Sequence, residues 1–112
     1  MAEVTPIKLK YDDGKEYVLE FNAQTVSEAE RAGFLYGEVA NKPMTMIPLL
    51  FFYAFKMHHP SISKAKTDSI LWEDLGGINE AMQVRLVELY LAPIEGLSGE
   101  DTPKNARLTV EI

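Results

Sequence analysis

The sequence predicts an α+β fold in which an N-terminal β-hairpin packs against about four α-helices. Two observations carry this prediction: apolar and polar residues alternate over residues 7–21, and apolar residues recur at helical spacing between residues 25 and 92. A length of 112 residues is typical of one domain, so residues 1–112 are expected to form a single domain. The 46% hydrophobic and 25% charged residues match the composition of folded globular proteins.

The hairpin is predicted from the segment IKLKYDDGKEYVLEF, residues 7–21. Each of its two strands places apolar side chains on one face: Ile7, Leu9 and Tyr11 in the first, and Tyr17, Leu19 and Phe21 in the second. The Asp13-Gly14 pair between them suits a tight turn, because such turns need positive backbone φ angles. A single hairpin is marginally stable, so its apolar face requires a cover.

The first two helices are bounded by capping patterns and prolines. In TVSEAERAGF, two overlapping capping boxes start at Thr25 and Ser27, and Gly33 is a typical helix end. Residues 34–42 are expected to form a loop or a short helical turn. The second helix is predicted to begin near Thr45, with Pro48 in its first turn, where a missing amide costs nothing, and to end before Pro60.

Two further helices and a strand complete the prediction. Ser63 begins a helix over residues 63–75, which a Gly-Gly pair closes, and residues 78–91 show a second apolar stripe that Pro93 stops or kinks. Residues 96–106 are rich in turn formers and predict a polar connector. Residues 107–112 read RLTVEI and alternate like a strand, which could join the hairpin as a third strand.

No catalytic, cofactor-binding or metal-binding residues are predicted. The chain has no cysteine and two adjacent histidines, His58 and His59, which point about 100° apart on a helix and so rarely share a metal ion. We expect one of them to be packed and the other exposed at the helix end. No GxSxG, P-loop or GxGxxG motif is present, and the net charge of −6 argues against a nucleic-acid partner.

The apolar run within MTMIPLLFFYAFKMHH, residues 44–59, is the most informative stretch. It holds ten apolar residues, from Met46 to Phe55, whereas a membrane-spanning helix needs about 20. No export signal precedes it, so we expect a cytoplasmic protein that does not associate with membranes. On a helical wheel an inner face forms around Ile47, and Lys56 lies opposite. The inner face comprises Ile47, Leu50, Phe51, Ala54, Phe55 and His58.

The side of this helix around Lys56 is the candidate partner-binding surface. It comprises Leu49, Phe52, Tyr53, Lys56 and His59. If Lys56 points to water, Leu49 and Phe52 are drawn to the surface with it and form an apolar patch of the kind that binds other proteins. The alternative is a central helix covered on all sides, with only the lysine stem reaching solvent. The sequence leaves both readings open.

Four segments resemble a known family when they are taken in order. They are IKLKYDDGKEYVLEF, TVSEAERAGF, KPMTMIPLLFFYAFKMHHP and LVELYLAPIEGL. Together, from about residue 7 to 97, they resemble the small tail assembly chaperones of long-tailed phages and prophages of Gram-positive bacteria. The resemblance implies a non-enzymatic protein without cofactors, which keeps the helical tape measure protein soluble while the tail tube assembles.

The partners that the resemblance implies are the tape measure protein and, as a second candidate, the tail tube protein; formation of a homo-oligomer is a further expectation. The alternative function is that of a small phage or prophage regulatory protein which acts by binding another protein through the same helix face.

Overall fold

A computed structural model describes residues 5–96, 107, 108 and 111 of the chain, and it has the predicted α+β fold. The strands are β1 (Ile7–Lys10) and β2 (Glu16–Leu19), and the helices are α1 (Ala23–Arg31), α2 (Pro43–Lys56), α3 (Lys64–Ser69) and α4 (Glu80–Glu95). A 3₁₀ turn, Tyr36–Glu38, precedes α2, and a π-helical turn, Ile70–Asp74, continues α3. The helices cover one face of the hairpin.

The hairpin forms a two-stranded antiparallel sheet in which Ile7 is paired with Leu19 and Lys10 with Glu16. Gly14 has a φ of 91° at the turn, as the Asp-Gly pair predicts. Of the proposed third strand, residues 107–112, the described Arg107, Leu108 and Glu111 are not in a strand, and the others lie outside the described residues. The predicted polar connector also lies outside them, apart from Gly96.

Helix α1 begins at an unpredicted cap. The side chain of Asn22 accepts a hydrogen bond from the Thr25 amide at 2.8 Å, and the Thr25 hydroxyl accepts one from the Asn22 amide at 2.9 Å. The predicted capping boxes at Thr25 and Ser27 are therefore wrong, because the helix starts two residues before Thr25. Gly33 ends the helix as predicted: with φ 103° it lets the Phe34 amide reach back to the Ala29 carbonyl.

Helix α2 also starts earlier than predicted. Pro43 is its first residue and Lys42 its cap, so Pro43 occupies the position that was assigned to Pro48. Pro48 lies inside the helix, where it removes one hydrogen bond, to the carbonyl of Met44 in the exposed first turn. The helix ends at Lys56, so His58 and His59 follow it and are not part of its last turn.

The last two helices differ from the prediction in their geometry and ends. Ser63 caps α3 as predicted, but from Ile70 the helix widens, and the Leu75 amide bonds the carbonyl five residues earlier. This wide turn buries Ile70 and its neighbour Leu71 together. Asn79 caps α4, which continues through Pro93, so of the two predicted effects of Pro93 the structure contradicts a stop and does not test a kink.

A single apolar core joins the hairpin to the helices. Its largest fully buried side chains are Leu19, Phe34, Leu50, Phe51, Phe55, Ile70, Leu71 and Leu86. Strand β2 rather than β1 packs on α2, and the ring of Tyr17 meets that of Phe55 edge to face at 5.4 Å. Among the residues described, no helix has the length and apolar content that crossing a membrane requires.

Candidate protein-binding surfaces

The inner face of α2 is buried as the helical wheel predicts. Leu50, Phe51, Ala54 and Phe55 are fully enclosed, and the rings of Phe51 and Phe55 meet edge to face at 4.9 Å. Ile47, the residue chosen as the centre of this face, is only half-buried. At that end of the helix Met46 and Pro48 fill the core instead. The inner face is thus correct from Leu50 to Phe55 and wrong at both ends, at Ile47 and at His58.

The opposite side of α2 reaches the surface. We call Leu49, Phe52, Tyr53 and Lys56 the outer face; all four are half-buried. Leu49 and Tyr53 lie at the margin of the core and pack against it, whereas Phe52 does not. The ring of Phe52 instead meets Tyr53 edge to face at 4.9 Å. An aromatic ring is therefore held at the surface by its neighbours on the same helix.

Lys56 lies over this ring. Its Nζ atom is 5.1 Å from the centre of the Phe52 ring, a cation–π distance, and donates a hydrogen bond to the Pro60 carbonyl at 2.9 Å. The lysine therefore covers part of the ring without removing it from solvent. The outer face is an apolar strip with one positive charge at its C-terminal end.

His59 does not belong to the outer face, although the wheel placed it beside Phe52. Its Nε2 atom accepts a hydrogen bond from the Val18 amide of β2 at 3.0 Å, and its ring packs edge to face on Tyr17 at 5.1 Å. Burial, and secondarily the nearby His58, lowers the pKa of His59 below its usual 6.5. His59 is thus the packed histidine, and its role is to connect β2 to the end of α2.

His58 is the exposed histidine, whereas the wheel placed it on the inner face. One of its ring nitrogens lies 2.7 Å from a Glu20 carboxylate oxygen. The wheel assumed that α2 continues regularly through both histidines, whereas the regular helix ends at Lys56. The expectation of one packed and one exposed histidine is confirmed, with the two positions exchanged.

Among several exposed apolar side chains that the sequence did not indicate, two groups lie near helix ends. Leu35, Tyr36 and Met44 surround the start of α2 and are 58%, 51% and 72% exposed. The Leu35 amide donates a hydrogen bond to the Met46 sulfur, which holds this segment against the helix. Trp72 and Leu75 are exposed on and after the π-helical turn. Helical spacing alone could not find these residues, because they lie at or beyond helix ends.

Two tyrosines among the described residues have raised pKa values. The Tyr11 hydroxyl donates a 2.5 Å hydrogen bond to Asp74, which together with burial raises the pKa of Tyr11 to about 12. Burial, with a smaller effect of the Glu30 charge, raises the pKa of Tyr90. No three His, Asp or Glu side chains within residues 5–96 are placed to share a metal ion.

These observations define a small α+β protein that presents apolar groups on one face of a central helix. A family model described as a domain of unknown function, DUF5055, matches residues 1–112. The chain therefore belongs to the DUF5055 family. No curated protein and no solved structure matches the chain.

Proposed function

We propose that this protein is a non-catalytic tail assembly chaperone, which binds apolar helical segments of a phage tape measure protein through the outer face of α2. Binding is reversible burial of apolar surface on both molecules and involves no covalent step. The proposal combines the resemblance of the sequence to tail assembly chaperones with the position of Phe52, the observation on which the choice of surface rests.

Phe52 supports the proposal because a large ring that does not pack on its own core gains free energy when a partner covers it. Complete burial of a phenylalanine side chain is worth about 1.5–3 kcal/mol, so completing the burial of a half-buried one contributes about 1 kcal/mol. Leu49 and Tyr53 flank the ring and are fixed by the core. A rigid apolar strip of this kind suits a helix that presents apolar residues at i, i+3, i+4 and i+7.

The partner that fits this strip is apolar along its centre and acidic near one end. Lys56 has no carboxylate partner among the described residues, and its positive charge lies where α2 ends. An acidic side chain of the client that reaches this end would meet an exposed cation, which favours one direction of binding. The outer face can thus select both an apolar helix and its orientation.

The experiment that tests the proposal is co-expression with a fragment of the tape measure protein encoded in the same genome, followed by measurement of soluble client and of affinity. Phe52→Asp should weaken binding at least tenfold, because it removes the ring and places a charge in the interface. Val84→Asp is the matched control, since Val84 is an exposed apolar residue on α4, outside the proposed surface.

Three results would count against the proposal. One is that the folded protein leaves client solubility unchanged. Another is that Val84→Asp and Phe52→Asp reduce binding equally. The third is binding of an unrelated regulatory protein with no affinity for the tape measure fragment, which would favour the regulatory alternative. A gene position between the tail tube and tape measure genes would support the chaperone function.

A further inference from the structure

The outer edge of β1 is a row of unpaired backbone groups. Tyr11 and Lys15 form a hydrogen-bonded pair at the end of the hairpin, with the Tyr11 amide 2.8 Å from the Lys15 carbonyl. Bonded and non-bonded pairs alternate along an antiparallel ladder, so the amides and carbonyls of Lys8 and Lys10 point away from β2. No described residue bonds them. Such an edge is a template for another strand.

The second edge of the sheet is closed. On β2 the outward amide of Val18 donates to His59, and the outward amide of Glu20 donates to the Ala54 carbonyl at 2.9 Å. The end of α2 therefore occupies the position that a further strand would take beside β2. Within the described sheet, β1 therefore offers the more open edge for additional pairing.

A cleft runs beside β1, between this strand and the residues around the π-helical turn. It is lined by β1 and the residues after it, Tyr11 and Asp12, and on the other side by Ile70, Asp74 and Leu75; no residue of β2 lines it. The hydrogen bond between Tyr11 and Asp74 fixes the distance between these walls. Leu75 is 39% exposed and offers an apolar contact. The cleft is thus a preformed space next to the open strand edge.

The side chains of β1 define which strand would fit. Lys8 and Lys10 are exposed on the solvent face and make no ion pair with a described residue, whereas Ile7 and Leu9 are half-buried against the core. A strand beside β1 would place its residues alternately against the lysines and against the apolar side. Acidic residues are favoured opposite the lysines, and apolar residues are favoured toward the core.

We propose that the outer edge of β1 binds an extended segment of another protein in which acidic and apolar residues alternate, and that this segment becomes a third strand of the sheet. A second copy of the same edge does not fit, because four lysines would then lie on one face of the paired strands. This site is separate from the outer face of α2 and does not depend on the chaperone function.

The direct test uses the full chain and a synthetic peptide, acetyl-Thr-Val-Glu-Ile-Glu-Val-Thr-amide, with amide hydrogen exchange followed residue by residue. At a peptide concentration ten times the Kd, exchange of the Lys8 and Lys10 amides should slow about elevenfold, because about one molecule in eleven remains free. The Leu9 amide already lies within the ladder and is the internal control. A peptide with Lys in place of both Glu residues should have no effect.

Two sets of variants separate charge from backbone pairing. Replacing both Lys8→Glu and Lys10→Glu should reduce affinity for the acidic peptide at least tenfold and create affinity for the Lys-containing peptide. Lys10→Pro removes the outward amide, whereas Lys10→Ala keeps it and loses the same charge, so Lys10→Pro should bind more weakly than Lys10→Ala. Unchanged exchange of the Leu9 amide shows that the hairpin remains folded.

Several outcomes would overturn the proposal. One is that the acidic peptide does not slow exchange of the Lys8 and Lys10 amides. Another is that both peptides slow it equally. Protection that rises with protein concentration in the absence of peptide would assign the edge to a second copy. Protection in dilute protein without peptide would assign it to another segment of the same chain. In the first case the lysines would serve only to limit uncontrolled pairing of the edge.

Discussion

Two neighbouring phenylalanines provide a matched test of the division of α2 into two faces. Phe51 is fully buried, and Phe52 is half-buried on the outer face without contact to the core. The variants Phe51→Ala and Phe52→Ala remove the same atoms from adjacent positions of one helix. Helix propensity and side-chain chemistry are therefore equal in the two variants, and only the surroundings differ.

The expected difference follows from these surroundings. Truncation of a buried phenylalanine costs about 3–5 kcal/mol, whereas loss of the half-buried Phe52 ring and its cation–π contact should cost about 1 kcal/mol. The entropy of unfolding is about 2.1 cal/mol/K per residue, so 1 kcal/mol corresponds to roughly 4 °C in a chain of this length. Phe51→Ala should thus lower the Tm by roughly 12–20 °C, and Phe52→Ala by roughly 4 °C.

The assay is thermal unfolding followed by far-UV circular dichroism, with urea unfolding as an independent measure of the free energy. A domain of this length has a stability of about 6–17 kcal/mol, so both variants should remain folded at low temperature. Equal losses of Tm would show that the Phe52 ring belongs to the core. That result would refute both the division of the helix and the use of Phe52 as a binding residue.

Three further predictions test local features. The pKa of His59 is lowered in the folded state, so its contribution to stability is present above pH 6.5 and is lost as the pH falls through that lowered pKa. His59→Gln keeps an acceptor for the Val18 amide and removes this titration. The free energy of unfolding of this variant, measured with urea, should therefore depend less on pH between pH 7 and 5. Asn22→Ala should cost about 1 kcal/mol in the same unfolding assay through loss of the α1 cap, and no loss would contradict that assignment. Gly33→Ala should lower the free energy of unfolding by about 1–2 kcal/mol, because Gly33 has a φ of 103°. Gly37 has no positive φ and open space around it, so Gly37→Ala should change stability by less than about 0.5 kcal/mol. Equal effects of the two variants would show that the positive φ of Gly33 is not what makes glycine necessary there.

The elements that the sequence predicted well are those whose signals are local and unambiguous. The hairpin follows from strict alternation on both sides of an Asp-Gly turn, and the end of α1 follows from Gly33, the residue that supplies a positive φ there. The burial of Leu50, Phe51 and Ala54 follows from their spacing on one helix. In each of these three cases the local sequence pattern is compatible with one conformation.

The helix starts were harder to predict because the chain offers competing signals. Asn22, Thr25 and Ser27 are all good capping residues. Asn22 is the cap in the structure, because the Thr25 hydroxyl can then accept a hydrogen bond from the Asn22 amide while the Thr25 side chain is buried. Pro43 and Pro48 compete in the same way for the first turn of α2. Tertiary packing decides between such alternatives, and a local pattern does not contain that information.

The π-helical turn could not be predicted from helical spacing at all. A wheel with 100° steps separates Ile70 from Leu71, whereas the wide turn lets the core accept both side chains. The same turn leaves Trp72 and Leu75 exposed and places Leu75 in the wall of the cleft beside β1.

The error over His59 and the open edge of β1 have the same physical origin. Once the chain leaves α2 after Lys56, His59 turns toward the hairpin and accepts the Val18 amide, and the Ala54 carbonyl accepts the next outward amide of β2. These two bonds place the end of α2 beside β2, so within the described sheet the edge of β1 is the one left open to another strand. The hydrogen bond from the Val18 amide to His59 therefore has two effects. It removes His59 from the predicted binding surface, and it helps to cover the edge of β2, which leaves β1 as the strand that can bind a partner.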